Sequence, residues 1–260
     1  MEGPNPLVAG LSMLRARRVG RPRSSGTVPA PGSGELGLIL ESVRLQGVAA
    51  LPDLLDDLDQ YTLEQSRVDP DELTHGDALA YWLNLYNAGA LVLAGEAFAT
   101  ATGSVLRLPG AFTSPFVTVA GESLSLDAVE HGKIRRFGDP RIHSALVCGS
   151  ASCPTLRFEP YEGARLDEQL DDQTMSFLEG GGAVIDQDTL RLSRVFLWYG
   201  ADFVRPRRMP TVMPAGKRQV AEALTPWLPD QHTRWLRSGR RSIAFQPYDW
   251  SLACSVRKPV

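Results

Sequence analysis

The spacing of apolar and polar positions changes character several times along the chain, and each change predicts an element. From Leu38 onward the pattern turns periodic, and VRLQGVAALPDLLDDLDQYTLEQSRV predicts two helical pieces broken near Pro52, since proline lacks the helical donor and clashes with the preceding turn. Asp77 opens a longer helix, ALAYWLNLYNAGALVLAGEAF, apolar nearly all round; such a helix has no face to give to water and belongs at the centre of a core. FTSPFVTVAGESLSL holds two short alternating runs on either side of Ala120 and Gly121, the pattern of a hairpin. Ser125 then fits an N-cap for LDAVEHGKIRRF, with Asp127 in the first turn.

After Asp139 and Pro140, RIHSALVC reads as a β-type run ending in the turn GSAS, and Pro154 as the first residue of a short helix. Leu166, Leu170, Phe177 and Leu178 mark another helix, closed by Gly180, Gly181 and Gly182. LRLS, FLWYGADF and SIAFQPYDW supply strand or short-helix material, and residues 214–238 read as helical. Helices and strands mix without strict βαβ alternation, so the fold class is α+β: a single domain with a central buried helix packed on a mixed or antiparallel sheet.

Composition sets the limits of that domain. At 260 residues, with 43% hydrophobic and 22% charged positions, the chain is expected to be globular, and a net charge of −3 gives no general attraction to nucleic acid. The 3 cysteines are too few and odd in number for a disulfide framework, which favours a reducing, cytoplasmic setting. The first apolar patch, Leu7 to Leu14, precedes the arginines instead of following them, so no signal peptide is expected; the run Ala78 to Ala94 contains Asn84 and Asn87 and is shorter than the roughly 20 residues a bilayer requires, so no membrane partner is expected. Residues 1–34 combine arginines with RPRSSGTVPAPGSG and read as a flexible basic tail, residues 35–252 as the domain, and residues 253–260 as a C-terminal tail.

Three groups of residues could carry chemistry. Glu130 falls between Leu126 and Ile134 on its helix, inside the apolar stripe, where a carboxylate requires a partner; Arg135, Arg141 or Arg157 could supply a structural ion pair, and an active-site role is the alternative. His131 lies at the edge of the same stripe. In DPRIHSALVCGSASCPTL, His143, Cys148 and Cys153 share one strand-turn-helix segment; strand parity sends His143 and Cys148 to opposite faces, while Cys153, ahead of Pro154, would feel a helix N-terminus that lowers its pKa. The GSAS turn could offer N–H groups to an oxyanion. The plainer alternative is that both cysteines are small buried hydrophobes. Asn84 and Asn87 share a helical stripe and either bond neighbouring backbone or line a polar site; Arg141, Trp198 and Tyr199 could form its walls, and Asp202 is either a cap or an orienting carboxylate.

The blocks YWLNLYNAGAL, LSLDAVEHGKIRRFGDPRIHSALVCGSASCPTL, LRLSRVFLWYGADF and FQPYDWSL resemble the DUF547 family in content and order, from about Ala78 to Leu252. The resemblance assigns no activity, as the family is named for lacking one; some larger relatives join the domain to glutaredoxin-like and DEP modules. The order of helix, histidine segment and later aspartate is also faintly similar to papain and transglutaminase architecture, with Asn84 or a neighbour where those enzymes place their cysteine.

These readings combine into one expectation: a cysteine-dependent hydrolase or acyltransferase acting on an amide or thioester of a small molecule or peptide, without a cofactor. Cys153 or Cys148 would be the nucleophile, His143 or His131 the base, and Glu130 or Asp202 the orienting carboxylate. The alternatives are a non-catalytic interaction module and a metal-dependent enzyme built on His131, His143, Cys148 and Cys153. No metal ligand set is favoured, because the cysteines lack the two-residue spacing of zinc knuckles.

Overall fold

The computed structural model describes residues 18–23, 25–207, 214–239 and 242–256. Helix α1 spans Gly34–Gln46 and α2 spans Leu55–Gln65; Pro52 sits in the 3-10 turn Gly47–Leu54 between them, as the broken periodicity predicts. The central helix α3 runs His75–Ala99, and its cap is Thr74, whose Oγ1 accepts from Asp77 N at 3.2 Å. Every residue from Ala78 to Leu91 is buried. Gly89 admits Phe116 so closely that a Cβ there would stand 2.7 Å from the ring. The sequence makes a buried helix possible by giving its two polar side chains, Asn84 and Asn87, backbone partners.

The hairpin follows, with β1 (Pro115–Val119) antiparallel to β2 (Glu122–Ser125) and a turn at Ala120 and Gly121, both at positive φ. Ser125 caps α4 (Leu126–Gly132) through Ala128 N at 3.2 Å. The next segment departs from the β-type reading: Ile142–Ala145 form a helical turn, α5. Asp139 and Pro140 start it, with Asp139 Oδ1 accepting from Arg141 N at 2.9 Å, a local turn that overrides the weak strand propensity of IHSAL. Pro154 opens no helix either. Residues 150–156 are instead pinned by the chain near its C-terminus, through bridges of Ser150 with Leu252 and Leu156 with Val256.

Helix α6 (Leu166–Phe177) ends in a wide turn at Leu178–Gly182, with Gly181 at φ 113°, where the glycine run predicts an end. Strands β3 (Ala183–Asp186), β4 (Thr189–Leu192) and β5 (Ser242–Phe245) form a mixed sheet in that order, β3/β4 antiparallel and β4/β5 parallel. FLWYGADF is helical, within α7 (Val195–Val204), and α8 (Lys217–Ala223) and α9 (Asp230–Arg237) complete the helical region.

The fold is α+β, with two hydrophobic cores. The larger gathers around α3, which packs chiefly on the 3-10 turn Gly47–Leu54, α2, the 3-10 turn Gly163–Arg165 and α4. The mixed sheet builds a second core of Leu190, Leu192, Phe196, Phe203, Val220 and Leu224 with α7 and α8, while the antiparallel hairpin gives Val117, Val119 and Leu124 to the core around α3, so the sheet that the central helix meets is the hairpin. Both tails also need correction where described. Arg136 donates to Val19 O, Arg23 N to Asp71, and Val28 exchanges backbone bonds with Glu72 and Thr74, while Ala30 packs on the larger core. Residues 1–17 and 24 of the expected tail, and 257–260, lie outside the described residues. Val256 is buried and Ala253 N donates to Gly149 O. Among the described residues no helix is long and apolar enough to cross a membrane.

Candidate functional site

Two polar clusters lie at the junction of α3, α4, α5 and α7. In the first, Asp202 on α7 accepts from Arg135 Nε at 2.8 Å and Nη2 at 3.1 Å, and its Oδ2 lies 2.9 Å from His143 Nε2. Burial pushes the Asp202 carboxyl up, but the His143 hydrogen bond and the Arg135 charge outweigh it and hold the group below its ordinary range. Burial likewise dominates at His143 and lowers its pKa against the pull of Asp202, so the ring is neutral at pH 7. An ionised carboxylate only accepts, which places the ring proton on Nε2 and leaves Nδ1 unprotonated. The ring stacks on Tyr199, centroids 4.0 Å apart.

Glu130 and His131 sit beside this unit. His131 Nδ1 is 3.4 Å from Arg135 Nη1 and 3.3 Å from Glu130 Oε1. Burial, then the Arg135 charge, lowers His131 to about 4, so the ring is neutral and Nδ1 accepts from the guanidinium. Glu130 Oε1 then receives no hydrogen bond, and Oε2 has the Tyr86 hydroxyl at 3.4 Å. Burial, then the charge of Glu130, raises both Tyr86 and Tyr199 well above the ordinary phenol range; at Tyr86 charge on Cys148 adds to the rise.

The second cluster surrounds the cysteines. Gly149, at φ 69°, turns the chain where its Cα packs on α3, and Cys153 N closes on Ser150 O at 3.0 Å. This brings the two sulfurs to 3.1 Å. Cys148 N donates to Cys153 Sγ at 2.9 Å, and Cys148 Sγ lies 3.0 Å from Ser150 Oγ and 3.3 Å from the Tyr248 hydroxyl. With Cys148 ionised, the protons of Cys153, Ser150 and Tyr248 can all point at its sulfur. The hydrogen bond from Cys153 first, then those from Ser150 and Tyr248, overcome burial and bring Cys148 down to about 7. Burial, then the Cys148 thiolate, pushes Cys153 well up. The preference for Cys153 as the acidic thiol is therefore reversed: it heads no helix, and it acts as donor to its neighbour. Burial, reinforced by both sulfurs, raises Tyr248, which stays a protonated donor.

Amide side chains fix this turn. Asn87 donates to Ala145 O at 3.0 Å and accepts from Val147 N at 3.1 Å, holding the extended residues that lead to Cys148. Gln173 on α6 donates to Ser144 O at 3.0 Å and Thr155 O at 2.6 Å, tying both ends of the segment together. Asn84 makes the same paired contact with Tyr161, 2.9 Å each way. Arg141 is occupied by Asp139, Asp167 and Asp171, which leaves it a structural ion cluster. Trp198 joins Tyr248 and Trp250 in an aromatic group, at 4.9 and 5.7 Å between centroids, beside the sulfurs. Two of the four N–H groups of the GSAS turn are already used, as Ala151 and Ser152 donate to the Ser251 and Asp249 carbonyls, and Cys153 N just beyond it donates to Ser150 O.

Of the residues singled out by sequence, the structure joins Glu130, His131, His143, Tyr199 and Asp202 in one cluster and Cys148 with Cys153 in the other. Among the described residues no hydrogen bond links either sulfur to an imidazole, and no group of three or more His, Cys, Asp or Glu side chains is placed to hold a metal. Tyr248, Ser150 and Gln173 were not singled out, and Arg135 was expected only as a structural partner of Glu130; Tyr248 lies in FQPYDWSL, whose clustered aromatics were its only signal. A cleft of about 270 Å³ adjoins Cys153 and is lined also by Gln173, Ser176, Gly181, Ser193 and Gln246, among others.

Residues 70–178 match the model of a family described as "Protein of unknown function, DUF547". The match holds Tyr86, Glu130, His131, Arg135, His143 and both cysteines, while the later blocks with Asp202 and Tyr248 lie beyond it. Neither the curated proteins nor the solved structures contain a match. The likeness to papain and transglutaminase architecture is not borne out, and Asn84 is a backbone clamp instead of a displaced nucleophile.

Proposed function

We propose that this chain, whose residues 70–178 match the DUF547 family model, is a cysteine-dependent hydrolase or acyltransferase whose nucleophile is Cys148. The observation that carries the reading is the convergence of Cys153, Ser150 and Tyr248 on one sulfur, which favours its thiolate near neutral pH. The thiolate attacks the carbonyl carbon of an amide or thioester, and the leaving group takes a proton from Tyr248, which its surroundings keep protonated. Water or a second acceptor then releases the acyl group. His143, neutral and oriented by Asp202, is the nearest base in sequence, on the α5 turn that leads to Cys148. The cleft is below the roughly 300–1,000 Å³ of drug-sized sites, which suits a short acyl group or a single side chain.

The test is acylation by p-nitrophenyl acetate at pH 7, read by mass spectrometry of the tryptic peptide from Ile142 to Arg157. An acetyl group on Cys148, absent in Cys148→Ser, is the expected result. No adduct, or one confined to Cys254, would refute the proposal and leave an interaction module as the better account.

A further inference from the structure

The acyl-transfer reading uses one sulfur as a nucleophile and the other as a hydrogen-bond donor. That leaves a reactive possibility unused, because the second sulfur is already in the position a resolving thiol needs. Cys153 Sγ lies 3.1 Å from Cys148 Sγ, held there by the Cys148 N–H and by the Gly149 turn. A disulfide requires about 2.05 Å, so closure asks for about 1 Å of movement across a pair that already faces itself. All three cysteines are half-buried and Cys153 and Cys254 both pack against the larger core, so the sulfur–sulfur approach is what sets the pair apart; the thiol of Cys254 is pushed up to about 12 by burial.

We propose that Cys148 and Cys153 are a peroxide-sensitive dithiol, in which Cys148 is oxidised first and Cys153 resolves it to an internal disulfide. The Cys148 thiolate attacks one oxygen of hydrogen peroxide: the S–O bond forms, the O–O bond breaks, and the departing hydroxide takes a proton and leaves as water. Sulfur is oxidised by two electrons and peroxide is reduced. Cys153 then attacks the sulfenic sulfur; the S–S bond forms, the S–O bond breaks, and the hydroxide leaves as a second water with the Cys153 proton. Ser150 and Tyr248, both within hydrogen-bond reach of Cys148 Sγ, are placed to supply the first of these protons. Closure consumes the nucleophile, so any acyl-transfer activity would stop until a dithiol reductant reopens the bond. The oxidation needs only a nucleophilic Cys148 and does not depend on an acyl substrate.

Arg141 and Arg157 make the experiment simple, since trypsin releases both cysteines in one peptide. The reduced full chain is treated with stoichiometric hydrogen peroxide, in the presence and absence of dimedone, and digested. The expected product is the peptide from Ile142 to Arg157 lighter by two hydrogens and restored by dithiothreitol. In Cys153→Ser the product should stop at a dimedone-trappable sulfenic acid on Cys148, and Cys148→Ser should resist oxidation at that dose. Oxidation first at Cys153 or Cys254, or progress of wild-type Cys148 to sulfinic acid without a disulfide, would overturn the inference. Formation of the disulfide in a protein that gives no acetyl adduct would remove the hydrolase reading and leave this one standing; an adduct without a disulfide would do the reverse.

Discussion

The acidity of Cys148 depends on donors that can be removed one at a time, which makes its magnitude calculable in advance. A hydrogen bond to a charged acceptor is worth about 1.5–3 kcal/mol, and one pKa unit corresponds to about 1.4 kcal/mol. The Tyr248 contact, at 3.3 Å, belongs at the lower end, so Tyr248→Phe should raise Cys148 by about one unit, from about 7 to about 8. Cys153 is the largest contributor, and Cys153→Ala should move the thiol by about two units, close to an unperturbed cysteine. Cys153→Ser, which keeps a donor, should stay nearer the wild type. The assay is the rate of iodoacetamide alkylation from about pH 5 to about pH 9, with the modified sulfur identified by peptide mapping. Circular dichroism of each variant separates a shifted thiol from a lost fold. A wild-type midpoint near the ordinary 8.5, or identical midpoints in wild type, Tyr248→Phe and Cys153→Ala, would refute the reasoning. The same shift has a stability consequence: the folded pKa is depressed, so Cys148 stabilises the fold fully above its unfolded pKa and loses that contribution as pH falls through about 7.

Asp202→Asn should cost about 3–5 kcal/mol in urea denaturation at pH 7, towards the lower end because 16% of the Asp202 side chain is exposed, since it strands a buried Arg135. As Asp202 is depressed in the folded state, its contribution is present above about pH 4 and lost as pH falls through the folded value; an equal wild-type–mutant gap at pH 7 and at about pH 2 would contradict this. Glu122 accepts from Gly20 N at 2.7 Å and pairs with Lys133, so Glu122→Ala should speed tryptic cleavage after Arg18 and Arg23 while leaving Cys148 alkylation unchanged. Unaltered cleavage would mean that residues 18–23 are held by other contacts.

Much of the fold was legible because local signals agree with it. The turn at Ala120 and Gly121, the Ser125 cap, the all-apolar α3 and the glycine stop after α6 each rest on residues within one element. The misread places are those where a distant partner decides. IHSAL has no strong strand pattern, and Asp139 was enough to wind it. Pro154 has the position of a helix start, but Val256 captures Leu156 and holds the segment extended. Residues 18–23 and 25–33 look too polar and proline-rich to order themselves, and they do so by borrowing acceptors and donors from Asp71, Glu72, Lys133 and Arg136. In the site, the residue types were legible but their pairing was not. Helical position correctly put Glu130 in the core, yet Arg141 and Arg157 are engaged with other carboxylates. The ranking of the two thiols depended first on which sulfur receives the other's hydrogen bond, and then on Ser150 and Tyr248; the relation of Tyr248 to Cys148 is one that no local pattern carries.

That relation spans 100 residues of chain, and it has a kinetic side. During vectorial synthesis the segment from Ile142 to Arg157 leaves the ribosome long before Tyr248 exists, and before Leu252 and Val256 can form the bridges that fix the turn. Contacts this distant in sequence are among the last to be gained in folding, because the loop must close before any of them is rewarded. The nascent cysteines are therefore ordinary thiols, mostly protonated at neutral pH and slow to react with electrophiles or peroxide. Reactivity arrives with the native state, so the thiol meets electrophiles and peroxide as an acidic group only after the fold has closed around it.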